Sequence, residues 1–82
     1  MAEAAETLSQ EHIDSFKRVF EGQDLTDTYI RFDGWVARNE FLRDGWNKAV
    51  ELGWLRVDTV ELEQETFMKG YLTEEGKVGL GL

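Results

Sequence analysis

The one histidine, His12, stands three residues after Ser9 and three before Ser15. That spacing puts an imidazole and two hydroxyls within neighbouring turns of a helix. Serine-type hydrolysis needs such a hydroxyl beside an imidazole that a carboxylate holds in place. Nothing else in the chain nominates Ser9 or Ser15 as a nucleophile, so His12 reads as a polar residue on the first turn of a helix. Asp24, Asp27 and Asp33 supply oxygen ligands of the kind Ca²⁺ and Mg²⁺ take. Their spacing lacks the alternation, the central glycine and the closing glutamate of an EF-hand loop, so they read as loop and cap acids. Gly76, Gly79 and Gly81 have no Gly-Lys-Ser/Thr and no strand-to-helix context of a phosphate loop. They read as a flexible tail. The chain has no cysteine, hence no disulfide framework, thiolate ligand or thiol nucleophile. We therefore expect no catalytic residues, no metal and no cofactor.

The remaining chemistry belongs to surfaces. Seventeen acids face nine bases among 82 residues, a net charge of −8. Residues 1–30 carry seven acids and two bases, and residues 51–82 carry seven acids and three bases. Residues 31–50 hold Arg31, Arg38, Arg43 and Lys48 against Asp33, Glu40 and Asp44, the one stretch that is not clearly acidic. Nucleic-acid binders usually carry the opposite balance, because Lys and Arg must displace the counterions condensed on phosphates. Hydrophobic residues make up 41% of the chain and aromatic residues 12%, too many for a disordered, charge-dominated segment. The expectation is one folded domain over 8–82 behind a disordered Ala/Glu-rich tail, 1–7. No apolar run nears the roughly 18 residues that span a bilayer, and the first residues lack the basic and apolar regions of a signal peptide. A cytoplasmic protein without membrane contact is expected.

Several elements must position these residues. Thr7 or Ser9 can cap a helix over about 9–21, in which Ile13, Phe16, Val19 and Phe20 recur at helical spacing and Gly22 closes the end in the left-handed conformation. Residues 23–28 read as a loop, and Tyr29–Phe32 as a short strand that Asp33-Gly34 breaks. Helical spacing returns from Trp35 to Leu52 as one helix or two. Asp44, a good cap, and Gly45, unfavourable inside a helix, favour a break near 39–44, and Asp-Gly-Trp occurs at both 33–35 and 44–46. After Gly53, Leu55 and Val57 alternate with polar residues. Val60 and Leu62 then alternate in the opposite phase, the signature of a bulge near Asp58-Thr59. The polar stretch 63–66 is the expected turn, Phe67–Leu72 the returning strand, and 73–77 a capped helical turn.

Two segments carry a resemblance. Lys48-Ala49-Val50-Glu51-Leu52-Gly53-Trp54-Leu55-Arg56 looks like a recognition helix running into a first wing strand. Gly70-Tyr71-Leu72-Thr73-Glu74-Glu75-Gly76-Lys77 looks like the strand-to-turn end of a wing in many bacterial regulators. Over about 45–80 the chain resembles the winged helix-turn-helix superfamily. The fold this implies is α+β, a small winged-helix-like domain with two or three helices and a two-stranded antiparallel wing. It also implies a recognition surface on the 42–52 helix, with Arg43, Asn47 and Lys48 contacting DNA. The wing positions that often carry Arg or Lys in that family are here Glu61, Glu63, Gln64 and Glu65, which phosphates would repel.

Three tryptophans remain. Trp46 lies on the apolar stripe and Trp54 follows the helix stop, which places both in the core. Trp35 follows a turn with fewer apolar companions and is a candidate contact for a partner. The acidic surface either keeps a small domain soluble or docks on a basic protein, as small acidic mimics of DNA do. The leading expectation is a regulatory or inhibitory protein-binding module, of the kind phages and mobile elements encode. Its contacts would be Trp35, Glu61, Glu63 and Glu65, and it would act as monomer or homodimer. The alternative is a DNA-binding regulator using Arg43, Asn47 and Lys48.

Overall fold

The structure, a computed structural model, describes residues 8–82. The tail expected over 1–7 lies outside the described residues. In chain order the elements are α1 (Gln10–Phe20), β1 (Tyr29–Phe32), α2 (Gly34–Arg38), α3 (Glu40–Glu51), β2 (Leu55–Glu61), β3 (Thr66–Leu72) and α4 (Glu74–Leu80). The fold is a small α+β arrangement. Among the described residues it has four helices and a three-stranded antiparallel sheet ordered β1-β3-β2, where two or three helices and a two-stranded ribbon were expected. The additional strand is β1, which pairs with β3 from Tyr29↔Tyr71 to Phe32↔Met68. The additional helix is α4, started by Thr73, whose hydroxyl accepts from the Gly76 N–H at 3.1 Å.

Local chemistry sets the helix ends. Ser9 caps α1 by accepting from the His12 N–H, and Gly22 follows the helix at φ 76°. Asp33 caps α2, and its carboxylate accepts from the Trp35 and Val36 N–H groups. Asn39 serves two helices. Its own N–H reaches the Val36 carbonyl to close α2, and its side chain accepts from the Leu42 N–H at 3.0 Å to open α3. The chain therefore makes two helices, but the break is Asn39 and not Asp44-Gly45. The first Asp-Gly-Trp is a helix start, while the second lies inside α3. Gly45 sits there because His12 presses against it: a methyl group at position 45 would stand 2.6 Å from His12 Cδ2. The glycine marks a close approach between α1 and α3.

The hairpin has no bulge. β2 and β3 pair without interruption from Leu55↔Leu72 to Glu61↔Thr66. The change of phase that resembled a slip has another cause, since apolar residues occupy both faces of the sheet. Leu55, Val57, Met68 and Leu72 pack on the core, whereas Val60 pairs with Phe67 on the opposite face. The turn begins one residue earlier than expected and is closed by the Leu62 N–H donating to the Glu65 carbonyl at 2.8 Å.

The core gathers Leu8, Phe20, Trp46, Ala49, Leu55 and Leu80. Trp46 lies against Gly70 of the central strand, with the Phe32 ring 4.9 Å away. Trp54 lies against Gly76 and Gly79 of α4, where any side chain would overlap its backbone or indole. Of the three glycines expected to form a flexible tail, Gly76 and Gly79 instead lie in α4 against Trp54, and Gly81 ends that helix at φ 78°. Val19, expected on the core-facing stripe of its helix, is exposed, as is Val50 on α3. Among the described residues no helix is long and apolar enough to cross a membrane.

Candidate partner-binding surface

Arg31 organises the end of the molecule where Trp35 and the hairpin tip lie. It stands on β1 opposite Lys69 of β3, and its guanidinium lies 3.9 Å from the centre of the Phe67 ring. Its Nε donates to Asp33 Oδ2 at 3.0 Å, and its Nη2 donates to Glu65 Oε1 at 2.6 Å. One side chain thus ties a strand to the cap of α2 and to the hairpin turn. The other Asp33 oxygen takes the Trp35 and Val36 N–H groups at 3.0 and 3.1 Å. The Val36 N–H first, and then the Arg31 guanidinium, hold the Asp33 carboxyl below its ordinary value. The Asp33 hydrogen bond chiefly, with the nearby Glu65, raises Arg31. These groups are solvated, so the pairs contribute little to stability. Their consequence is geometric: one guanidinium spans the start of α2 and the hairpin turn and sets how the two face each other.

Around this clamp the expected partner contacts divide. Trp35 is 68% exposed, far more than either other tryptophan. Glu61 and Glu63 are exposed at the hairpin tip, with Leu62 between them. Glu65 is also exposed, but its carboxylate is committed to Arg31. A shallow hollow separates the two sides, lined by Asp33, Gly34 and Ala37 at α2 and by Thr59 and Thr66 on the hairpin. Trp35 does not line it. By composition alone Arg31 is one cation of the balanced stretch 31–50. The signal that points to it is local, an arginine two residues before the aspartate that ends a strand and caps the next helix.

The residues considered for DNA contact lie together on α3, and each cation has an acidic neighbour. Arg43 Nε is 3.4 Å from Asp44 and Lys48 Nζ is 3.5 Å from Glu51, while Asn47 is exposed. With Glu40 included, α3 carries three acids against two bases. A phosphate approaching this helix competes with carboxylates already in place.

Elsewhere, the outer face of the sheet alternates cations with rings: Arg56 over Tyr71, Lys69 over Tyr29, and Tyr29 beside Tyr71 at 5.7 Å. His12 remains on the first turn of α1, but it is more than a solvated polar residue. Its Nδ1 lies 2.9 Å from Ser9 Oγ and its Nε2 2.9 Å from the Phe41 carbonyl, so it links α1 to α3. Asp24 accepts from the Thr26 N–H within its loop. Among the described residues no group of three or more His, Asp or Glu is placed to hold a metal. Comparison with known proteins found no matching family model, no matching curated protein and no matching solved structure.

Proposed function

We propose that this chain is a non-enzymatic, winged-helix-like binding module that regulates or inhibits a protein partner with a basic surface. The observation that carries the reading is the contrast among its tryptophans. Trp46 and Trp54 each rest on glycines that leave room for them, whereas Trp35 is left in solvent on a helix whose cap is clamped to a glutamate-bearing hairpin. Exposed tryptophans are rare on surfaces that meet only water and frequent at the centres of interfaces. Glu61 and Glu63, which pair with no cation among the described residues, supply negative charge beside the clamp that steers a cationic partner and suppresses wrong ones. In the winged-helix reading, β2–β3 is the wing, and its tip faces a protein in place of a minor groove.

Affinity capture from the native host tests this reading. The tagged protein should recover a basic protein, and Trp35→Ala or the pair Glu61→Lys/Glu63→Lys should reduce that recovery. Equal recovery by these variants, or no partner at all, would overturn it.

One observation favours a second reading. The helix pair α2–α3 directly precedes the hairpin, the order a DNA-binding winged helix uses. Mobility-shift measurement at low salt decides between them, because phosphate attraction is greatest there. Duplex binding that weakens in Arg43→Ala and Lys48→Ala would favour DNA. An unshifted duplex would leave the protein-binding reading alone.

A further inference from the structure

Between α1 and the α2–α3 pair lies a cavity of about 130 Å³ with largely apolar walls, built from Phe16 and Val19 of α1, Ile30 of β1, Val36 of α2, and Leu42 and Trp46 of α3. The His12 ring also borders it, but both ring nitrogens are engaged, one by Ser9 and one by the Phe41 carbonyl. The histidine therefore offers an occupant no free polar atom. An apolar cavity of roughly 150 Å³ accepts a benzene ring, so this one accommodates a single aromatic or branched aliphatic group.

Two features of the mouth say what carries that group. The apolar surface continues outward, with Val19 40% and Phe41 41% exposed. A free ring would fill the cavity and leave this rim in water, whereas a side chain on a peptide segment covers both. Beside the mouth, an adjoining hollow is lined by Glu11, Asp14, Ser15, Arg18 and Phe41. That hollow carries two acids against Arg18, and Arg31, which lines the cavity, has its guanidinium engaged by Asp33 and Glu65, so the charge left beside the mouth is negative and favours a cationic segment.

We infer that this cavity is the seat for one large apolar side chain presented by a cationic segment of a protein partner. The inference rests on the proposed reading only in taking the partner to be basic, and it adds a contact separate from Trp35 and the hairpin tip. The occupant is a segment with lysine or arginine flanking a phenylalanine- or leucine-sized anchor.

The test uses the whole protein and three synthetic helical peptides: a lysine-rich peptide with one central phenylalanine, the same peptide with alanine there, and a glutamate-rich version that keeps the phenylalanine. Backbone amide NMR shifts locate binding. The lysine–phenylalanine peptide should shift Val19, Val36 and Gly45. Loss of the ring should weaken binding about tenfold or more, as expected for truncating a buried anchor, and the glutamate peptide should not bind. Ser15→Leu, which crowds the mouth, should abolish the shifts. Glu11→Lys, on the exposed face of α1, should weaken binding several-fold without altering the fold, which keeps the test decisive if Ser15→Leu unfolds. Equal binding of the phenylalanine and alanine peptides, shifts confined to Trp35 and the hairpin, or saturation by toluene with no peptide binding would each overturn the inference. If partner capture depends on Trp35 while the cavity takes no peptide, the proposed function stands and this inference falls.

Discussion

The His12 ring fills the space in which a side chain at position 45 would begin. It is held there by stacking on Phe41 at 4.2 Å and by the contact of Nε2 with the Phe41 carbonyl. Gly45→Ala should therefore destabilise the protein, although alanine is the better helix former by about 1 kcal/mol. Overpacking costs about 1–3 kcal/mol, so with the propensity gain subtracted a net loss of up to about 2 kcal/mol is expected from urea unfolding. In a His12→Ala background the same substitution should become neutral or stabilising. A Gly45→Ala effect unchanged by His12→Ala would show that the two residues do not interact.

Gly79 and Gly22 make a controlled pair. Gly79 faces the Trp54 indole, whereas Gly22 has a positive φ and nothing near the missing side chain. Gly79→Ala should cost about 3 kcal/mol or more through steric overlap, and Gly22→Ala only about 1 kcal/mol through backbone strain. Trp54→Leu should relieve the first and leave the second alone. Thermal unfolding of the two alanine variants, each alone and in the Trp54→Leu background, checks the ranking, which fails if Gly79→Ala is the milder change.

Acid stability should report on Asp33. Its carboxyl is held below the ordinary value of 3.8 by the Val36 N–H and then by Arg31. A carboxylate lowered on folding contributes stability that is complete above the unfolded value and is lost as pH falls through the folded one. The loss at this site thus begins near pH 4 and deepens below it. Asp33→Asn keeps an acceptor for the helix cap but cannot titrate, so its urea midpoint should fall less steeply in acid than that of the wild type. Parallel acid limbs for the two proteins would remove Asp33 as a contributor.

Trp35 and Trp46 should separate binding from folding. Trp46→Ala removes a buried indole and should cost about 3–5 kcal/mol. Trp35→Ala removes a side chain that is 68% exposed and should change stability by no more than about 0.5 kcal/mol, while still reducing partner recovery. A Trp35→Ala protein that unfolds easily would place this residue in the structure and not at an interface.

Elements built by local chemistry were legible from the sequence. α1, the short strand β1, the stop at Gly53 and the inward placement of Trp46 all follow from periodicity, caps and turn residues. What escaped depends on contacts between distant positions. Gly45 resembled a helix boundary because nothing local reveals that residue 12 will press against it. Gly76 and Gly79 resembled a tail because Trp54, whose carbonyl meets the first and whose indole meets the second, lies more than twenty positions earlier. Val60 resembled a slipped register because alternation assumes one apolar face, and this sheet has apolar residues on both. At the candidate surface the types of Trp35, Glu61 and Glu63 could be read directly. Arg31, which holds the arrangement together, could not, because its partner Glu65 is thirty-four residues away.

The order β1-β3-β2 also constrains assembly in time. Among the described residues β3 is the only strand that either other strand pairs with, and it is the last of the three to leave the ribosome. The three helices before it can begin forming from nearby residues, but β1 must wait until Met68–Tyr71 have been synthesised before it has a partner. Closing that span brings together residues some forty positions apart, the kind of step that slows folding. Until then the apolar residues of β1 and β2 have no sheet to enter, and a nascent chain stalled before Thr66 would expose both strands at once.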